Sequence, residues 1–309
     1  MRGLPSVSDV MRSKTLLLFI ASLLVSFLSH AKGPEVKFLF AVKDTTETRM
    51  GKPYGVCSIG DTLYIADSDG QILRYLIKKK EMDFFEVEVG LKEPLGIACF
   101  PSKKMVCVSD SFHNRVFCFD EDGDLSFSLG DGSKLSKPRG LFGDDKNGLL
   151  YVTDTGLHKV FVFDLKGKLV RSFGGRGSVE GRFNYPTNVW VDPETGNVYV
   201  ADTLNFRVQV FDGKGNFLKV IGGPGDTLGR FARPKGVGVD SAGNLYVVDA
   251  VFNNVQILDR QGRGIGVFGK AGTKEGEFLV PAGIYIDGGR IFISDQLNSR
   301  IQVFQVKVK

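Results

Sequence analysis

The sequence predicts an all-β chain: a six-bladed β-propeller with four-stranded antiparallel blades. Three observations carry this. First, one pattern recurs six times, as YIADSDGQILRYL from Tyr64, CVSDSFHNRVFCFD from Cys107, YVTDTGLHKVFVFD from Tyr151, YVADTLNFRVQVFD from Tyr199, YVVDAVFNNVQILD from Tyr246 and FISDQLNSRIQVFQ from Phe292. Second, the aspartates that end the first apolar run (Asp67, Asp110, Asp154, Asp202, Asp249 and Asp295) are separated by 43, 44, 48, 47 and 46 residues, a propeller-blade period. Third, Pro53, Pro94, Pro138, Pro186, Pro234 and Pro281 keep step, each 14 to 16 residues before its aspartate.

The fourth unit shows how each blade is built. Residues 188–192 form strand a, 198–201 strand b, 208–211 strand c and 217–221 strand d. The runs are short and rich in Val, Ile, Tyr and Phe, and Gly, Asn and Asp turns separate them. No window keeps a helical period. The sixth unit stops after strand c. Residues 36–42 (VKFLFAV) precede the first unit and look like a strand d, so this segment is expected to complete the last blade and remove the open edges of the ring. Blade one departs most, with a short b-to-c loop and Lys78-Lys79-Lys80 where other blades have an Asp-Gly turn.

At 309 residues and 42% hydrophobic composition, the chain is large enough for a packed core, and six blades leave no room for a second domain. The expected division is a signal peptide over 1–31 and the propeller over 32–309. Arg12 and Lys14 lead into the apolar run 16–28, followed by Ser29-His30-Ala31. That is the order of an export signal, and the run is too short for a membrane span of about 20 residues. Met11 is an alternative start. The expected location is therefore periplasmic or extracellular. The formal charge is +5, and removing 1–31, which carry Arg2, Arg12 and Lys14 against Asp9, leaves +3. This is short of the clustered basic surface of a nucleic-acid binder, and the protein is expected to act as a monomer without nucleic acid.

Cys107 stands where other units have Tyr or Phe, and Cys118 where they have Val or Ile. The other two cysteines are Cys57 and Cys99; Cys107 and Cys118 are expected to be buried free thiols, because adjacent-strand geometry is awkward for a disulfide. Oxidation of Cys107 with Cys118 across strands b and c is the alternative in an exported chain. The spacings do not match paired CxxC zinc sites.

In an antiparallel blade the d-to-a linkers and b-to-c loops emerge on one face, which therefore holds both the repeat aspartates and the repeat prolines. A base or amide follows each aspartate closely: Gln71, Arg115, Lys159, Arg207, Asn254 and Arg300. The aspartates are read as structural, accepting loop N–H bonds and pairing with these residues. The alternating charges also allow an anion-binding ring. Lys52, Lys92, Lys137, Arg139, Arg233 and Lys235 flank the prolines, with Tyr54 and Thr187 at the position after proline in two blades. Phe112, His113, His158, Leu204, Phe206, Val251 and Phe252 lie at loop tips. Apolar tips beside basic residues suit a protein or peptide surface, or else pack on neighbouring blades. The candidate partner-binding residues are Tyr54, Phe112, His113, Arg139, His158, Thr187, Phe206, Lys235 and Phe252.

Catalysis has little support. His113 and His158 are the histidines left after signal removal, fewer than the three protein ligands usual for zinc, and no nucleophile elbow, phosphate loop or HExxH is present. Asp144, Asp145, Asp192, Asp240 and Asp287 sit in turns where local Asx bonds are the expected role, with calcium binding as the alternative. No cofactor is expected.

The stretch 173–212, FGGRGSVEGRFNYPTNVWVDPETGNVYVADTLNFRVQVFD, and VFGKAGTKEGEFLVPAGIYID from Val267 resemble the NHL-repeat family of six-bladed propellers. The resemblance covers about 34–309 and implies a toroidal scaffold that commonly serves as a binding platform. Family members that bind RNA or ligate ubiquitin join the propeller to further domains, and this chain has no RING-like Cys/His pairs. A related peptide-amidating lyase uses several histidines for zinc, which this chain lacks. The expected function is an exported, non-catalytic propeller engaging a protein or peptide through its linker-side face. The alternative is a metal-dependent lactone hydrolase or lyase with its site at the channel mouth.

Overall fold

The computed structural model describes residues 33–130 and 135–307; the expected signal peptide, 1–31, lies outside them. Strand β1 (Glu35–Val42) precedes five complete blades. These are β2 (Pro53–Ile59), β3 (Thr62–Asp67), β4 (Gln71–Leu76) and β5 (Glu81–Phe84); β6 (Pro94–Phe100), β7 (Met105–Asp110), β8 (Arg115–Phe119) and β9 (Leu125–Leu129); and β10 (Pro138–Asp144), β11 (Leu149–Asp154), β12 (Lys159–Asp164) and β13 (Leu169–Gly174). Then follow β14 (Pro186–Val191), β15 (Val198–Asp202), β16 (Arg207–Phe211) and β17 (Phe217–Gly222), and β18 (Pro234–Val239), β19 (Leu245–Asp249), β20 (Asn254–Leu258) and β21 (Gly264–Phe268). The sixth blade is β22 (Pro281–Asp287), β23 (Arg290–Asp295), β24 (Arg300–Lys307) and, at its outer edge, β1.

The ring therefore closes as the sequence implied. β1 pairs antiparallel with β24 from Glu35↔Lys307 to Val42↔Ile301. Blade one is built like the others, in the order β2-β3-β4-β5. The strand-b aromatics Tyr64, Tyr151, Tyr199, Tyr246 and Phe292 are buried, and each core cluster draws side chains from neighbouring blades. One such cluster joins Tyr64, Ala66 and Ile72 of blade one to Val106, Val108 and Phe117 of blade two.

The repeat proline opens every innermost strand, two positions before a glycine in five blades. The glycine permits close approach. A Cβ on Gly236 would come within 2.6 Å of the Ala282 carbonyl oxygen, and one on Gly55 within 2.7 Å of that of Leu95. In blade four Asn188 takes this position, and its Oδ1 accepts a bond from the Val237 N–H at 3.1 Å.

The repeat aspartates are fully buried, and each binds the preceding d-to-a linker to its own b-to-c loop. Asp67 accepts from the N–H groups of Gly51 (2.6 Å) and Lys52 (2.8 Å). Asp154 does the same with Ser136 (2.7 Å) and Leu157 (2.8 Å). Asp295 accepts from the Leu279 N–H (2.7 Å), Arg300 Nε (2.7 Å), Asn298 Nδ2 (2.9 Å) and Gln302 Nε2 (3.0 Å). A carboxylate can be kept this dry only when charge-assisted bonds replace its hydration.

The cysteines correct the sequence reading. All four are oxidised, as Cys57–Cys99 and Cys107–Cys118. Cys107 and Cys118 are direct cross-strand partners in β7 and β8. Their Cα separation of 4.0 Å is that of closely approaching, non-hydrogen-bonded neighbours, so the adjacent strands bring the thiols together rather than apart. Cys57 and Cys99 join the innermost strands of blades one and two.

Deleting residues 34–44 is expected to lower the melting temperature of the whole ring in one cooperative transition; unchanged melting would contradict closure by β1. Asp295→Ala leaves the buried Arg300 without its carboxylate, and should cost about 3 kcal/mol in urea unfolding.

Candidate functional site: the linker-side face and channel mouth

The residues after the repeat prolines are Tyr54, Leu95, Arg139, Thr187, Lys235 and Ala282, and of these Tyr54, Lys235 and Ala282 line the central cavity. Tyr54, Leu95 and Ala282 pack together as an apolar cluster. Against it lie two cations. Arg139 Nε donates to the Tyr54 hydroxyl at 2.8 Å and Nη1 to the Tyr185 hydroxyl at 3.1 Å. Its guanidinium stands 4.7 Å from the Tyr54 ring centre and 5.5 Å from that of Tyr185. Lys235 Nζ lies 5.9 Å from the same Tyr54 ring and donates to Gln296 Oε1 at 3.5 Å. Neither cation has an ion-pair partner among the described residues. Burial, and then the charges of Arg139 and Arg233, push the Lys235 ammonium down to about 8.

Other candidates are placed differently. Thr187 is buried, its hydroxyl bonded to Thr203 Oγ1 (2.7 Å) and the Lys235 carbonyl (2.8 Å). The two histidines are engaged separately. His113 Nδ1 meets Asp110 Oδ2 at 3.0 Å. Burial alone would raise the Asp110 carboxyl, but the N–H groups of Lys92 and His113 and the His113 ring outweigh it and hold it below its usual range. His158 is pushed down by burial and then by Arg176, and its Nδ1 accepts from the Tyr185 N–H at 3.0 Å. His158 and Phe206 have φ of 54° and 57°, at the same loop position as Asn114, Asn253 and Ser299. Repetition in successive blades makes this backbone form a requirement of the loop. Phe112 is 63% exposed, Val251 53%, Leu297 52% and Phe206 38%, with Phe252 half-buried. Together the tips frame the cationic centre.

Below the mouth a cavity of about 260 Å³ runs along the axis. Tyr54 and Lys235 bound it at the linker side, Val56, Ile97, Leu141, Val189 and Ile284 form its walls, and Pro101, Asp145 and Pro193 reach its far end. Phe142 and Tyr285 flank Trp190 there, with ring centres 4.9 and 6.0 Å away. Asp144, Asp192 and Asp240 hold the expected local bonds, with Asn147, Thr195 and Asn244, whereas Asp145 and Asp287 depart from that expectation and bond to Ser102 and Ser58 of the neighbouring blades. Among the described residues no three His, Cys, Asp or Glu side chains converge as a metal-binding group, and no helix is long and apolar enough to cross a membrane.

Sequence reasoning missed Tyr185, Gln296 and the cavity. It also missed Gln209, Gln256 and Gln302, which bond to the linkers at Gly181 (2.9 Å), Gly229 (2.7 Å) and Gly276 (2.8 Å). Their recurrence two positions after the strand-c base or amide was a visible signal.

Residues 183–211, from the buried Phe183 of the linker to the end of β16, match the NHL repeat model. This stretch carries an NHL repeat. The chain is 28% identical over 141 residues to NHL repeat-containing protein 2 of Gallus gallus, across 35% of this chain and 19% of that protein. It thus spans about a fifth of the curated relative it matches. In fold it is similar to an auxiliary nutrient binding protein from Bacteroides thetaiotaomicron, with a TM-score of 0.67 at 14% identity, covering 89% of this chain and 78% of the other. It is likewise similar to a gluconolactonase from Xanthomonas campestris, with a TM-score of 0.66 at 16% identity, covering 90% and 96%. At these identities the likeness to the two solved structures is one of fold.

The shifted Lys235 gives a pH signature. The unfolded chain holds that proton to about pH 10.4, whereas the folded protein releases it near 8. Between those values the unfolded state binds more protons, so stability rises with pH. Wild type is expected to gain stability relative to Lys235→Met from about pH 8 to about pH 10, measured by urea unfolding; a constant difference would contradict the assignment.

Proposed function

We propose that the chain is an exported, non-catalytic propeller that binds a protein or peptide partner through its linker-side face, acting as a monomer. One observation carries the reading: a Tyr54–Arg139–Lys235 centre with no ion-paired carboxylate among the described residues, framed by exposed Phe112, Phe206, Val251 and Leu297. Tyrosine and arginine are the residues that anchor recognition most strongly, and apolar tips gain most from being covered. The two disulfides support export, because such bonds persist in oxidising compartments.

The alternative, a metal-dependent lactone hydrolase or lyase centred on the channel mouth, fits these residues less well. Arg139 and Lys235 would repel a divalent cation there, and the histidine ring nitrogens at Nδ1 already have partners.

A displayed random-peptide library selected on the immobilised protein is expected to yield binders. Their affinity should fall at least about ten-fold in Phe112→Ser/Val251→Ser and hold in Lys103→Ser/Lys146→Ser on the opposite face. Equal behaviour of the two variants would overturn the assignment.

A further inference from the structure

We infer that the axial cavity binds a monocarboxylate with an apolar body, its head on Lys235 and Arg139 and its body between the innermost strands. This goes beyond the partner-binding face and does not depend on it.

The size and lining of the cavity set the body of the ligand. A dry apolar cavity of about 150 Å³ is enough for benzene, and this one is about 260 Å³. Val56, Ile97, Leu141, Val189 and Ile284 are among its lining residues, and this aliphatic share of the lining favours an apolar body.

The linker-side end sets the head. Lys235 lines the cavity itself, and Arg139 shares the Tyr54 ring with it. Both are partly desolvated, and neither is ion-paired among the described residues. Two neighbouring cations in that state repel each other, and one carboxylate between them relieves the repulsion and forms charge-assisted bonds. The far end carries the opposite sign. Asp145 reaches it, held by the Ser102 N–H (3.0 Å) and Oγ (2.7 Å). The ligand is thereby oriented, and a second carboxylate on its tail is disfavoured.

The chain's one tryptophan, Trp190, lines the cavity and reports occupancy directly. Titration with octanoate is expected to change Trp190 fluorescence saturably. Affinity should be at least about ten-fold weaker for 1-octanol and for the dicarboxylate suberate on the wild-type protein, and for octanoate on Lys235→Met. Phe112→Ser/Val251→Ser should bind octanoate as wild type does, which separates this site from the peptide face. The wild-type comparison of octanoate with octanol stands even where Lys235→Met melts early. No saturable change with octanoate, or equal affinity for octanoate and octanol, would overturn the inference.

Discussion

Six buried carboxylates determine how this molecule presents itself. Each repeat aspartate is stripped of water and is stable only because linker and loop N–H groups converge on it. The same bonds fix the linker, the loop and the proline that opens the innermost strand of the same blade. The residue after that proline is consequently held at an equivalent place in every blade. The framework can therefore repeat while that residue varies, from Leu95 and Ala282 to Tyr54, Arg139 and Lys235. Chemistry at the mouth is decided by six side chains whose positions are set by groups that never reach it.

Much of the architecture was legible because it repeats. Asp67 to Asp295 and Pro53 to Pro281 fixed the blade period, and the strand-like residues 36–42 could be assigned because the last blade lacked a strand. Contacts between blades were harder to read. Tyr54 meets Arg139 across 85 positions, and Tyr185 meets it across 46. No local pattern encodes a meeting that exists only once the ring is formed. Cys57 and Cys99 eluded the reading for the same reason, since their proximity follows from glycine-assisted packing of neighbouring innermost strands. Cys107 and Cys118 were placed side by side by strand counting, yet the chemical state inferred for them was wrong. Adjacent strands vary in how closely their side chains approach, and the residue identities alone did not reveal the short spacing.

The axis is electrically polar. Positive side chains stand at one end, apolar walls lie between, and Asp145 stands at the other. Cations at the mouth cost free energy through desolvation and mutual repulsion, yet the Tyr54 ring and the Tyr185 hydroxyl hold Arg139 in place. Two hydrogen bonds hold the Arg139 guanidinium in one orientation. The exposed tips lie outside this centre on loops whose backbone form is dictated by the blade, which gives the face a fixed outline with variable decoration.

The seam between β1 and β24 has a consequence for biosynthesis. Its two halves lie on either side of all the other strands, so a nascent chain has nothing to zip β1 against until every blade has been made. A product that has lost a blade through deletion or premature termination cannot bring the halves into register and keeps adhesive strand margins uncovered. The seam thus works as a completeness check, hiding the sticky margins only of a full-count ring.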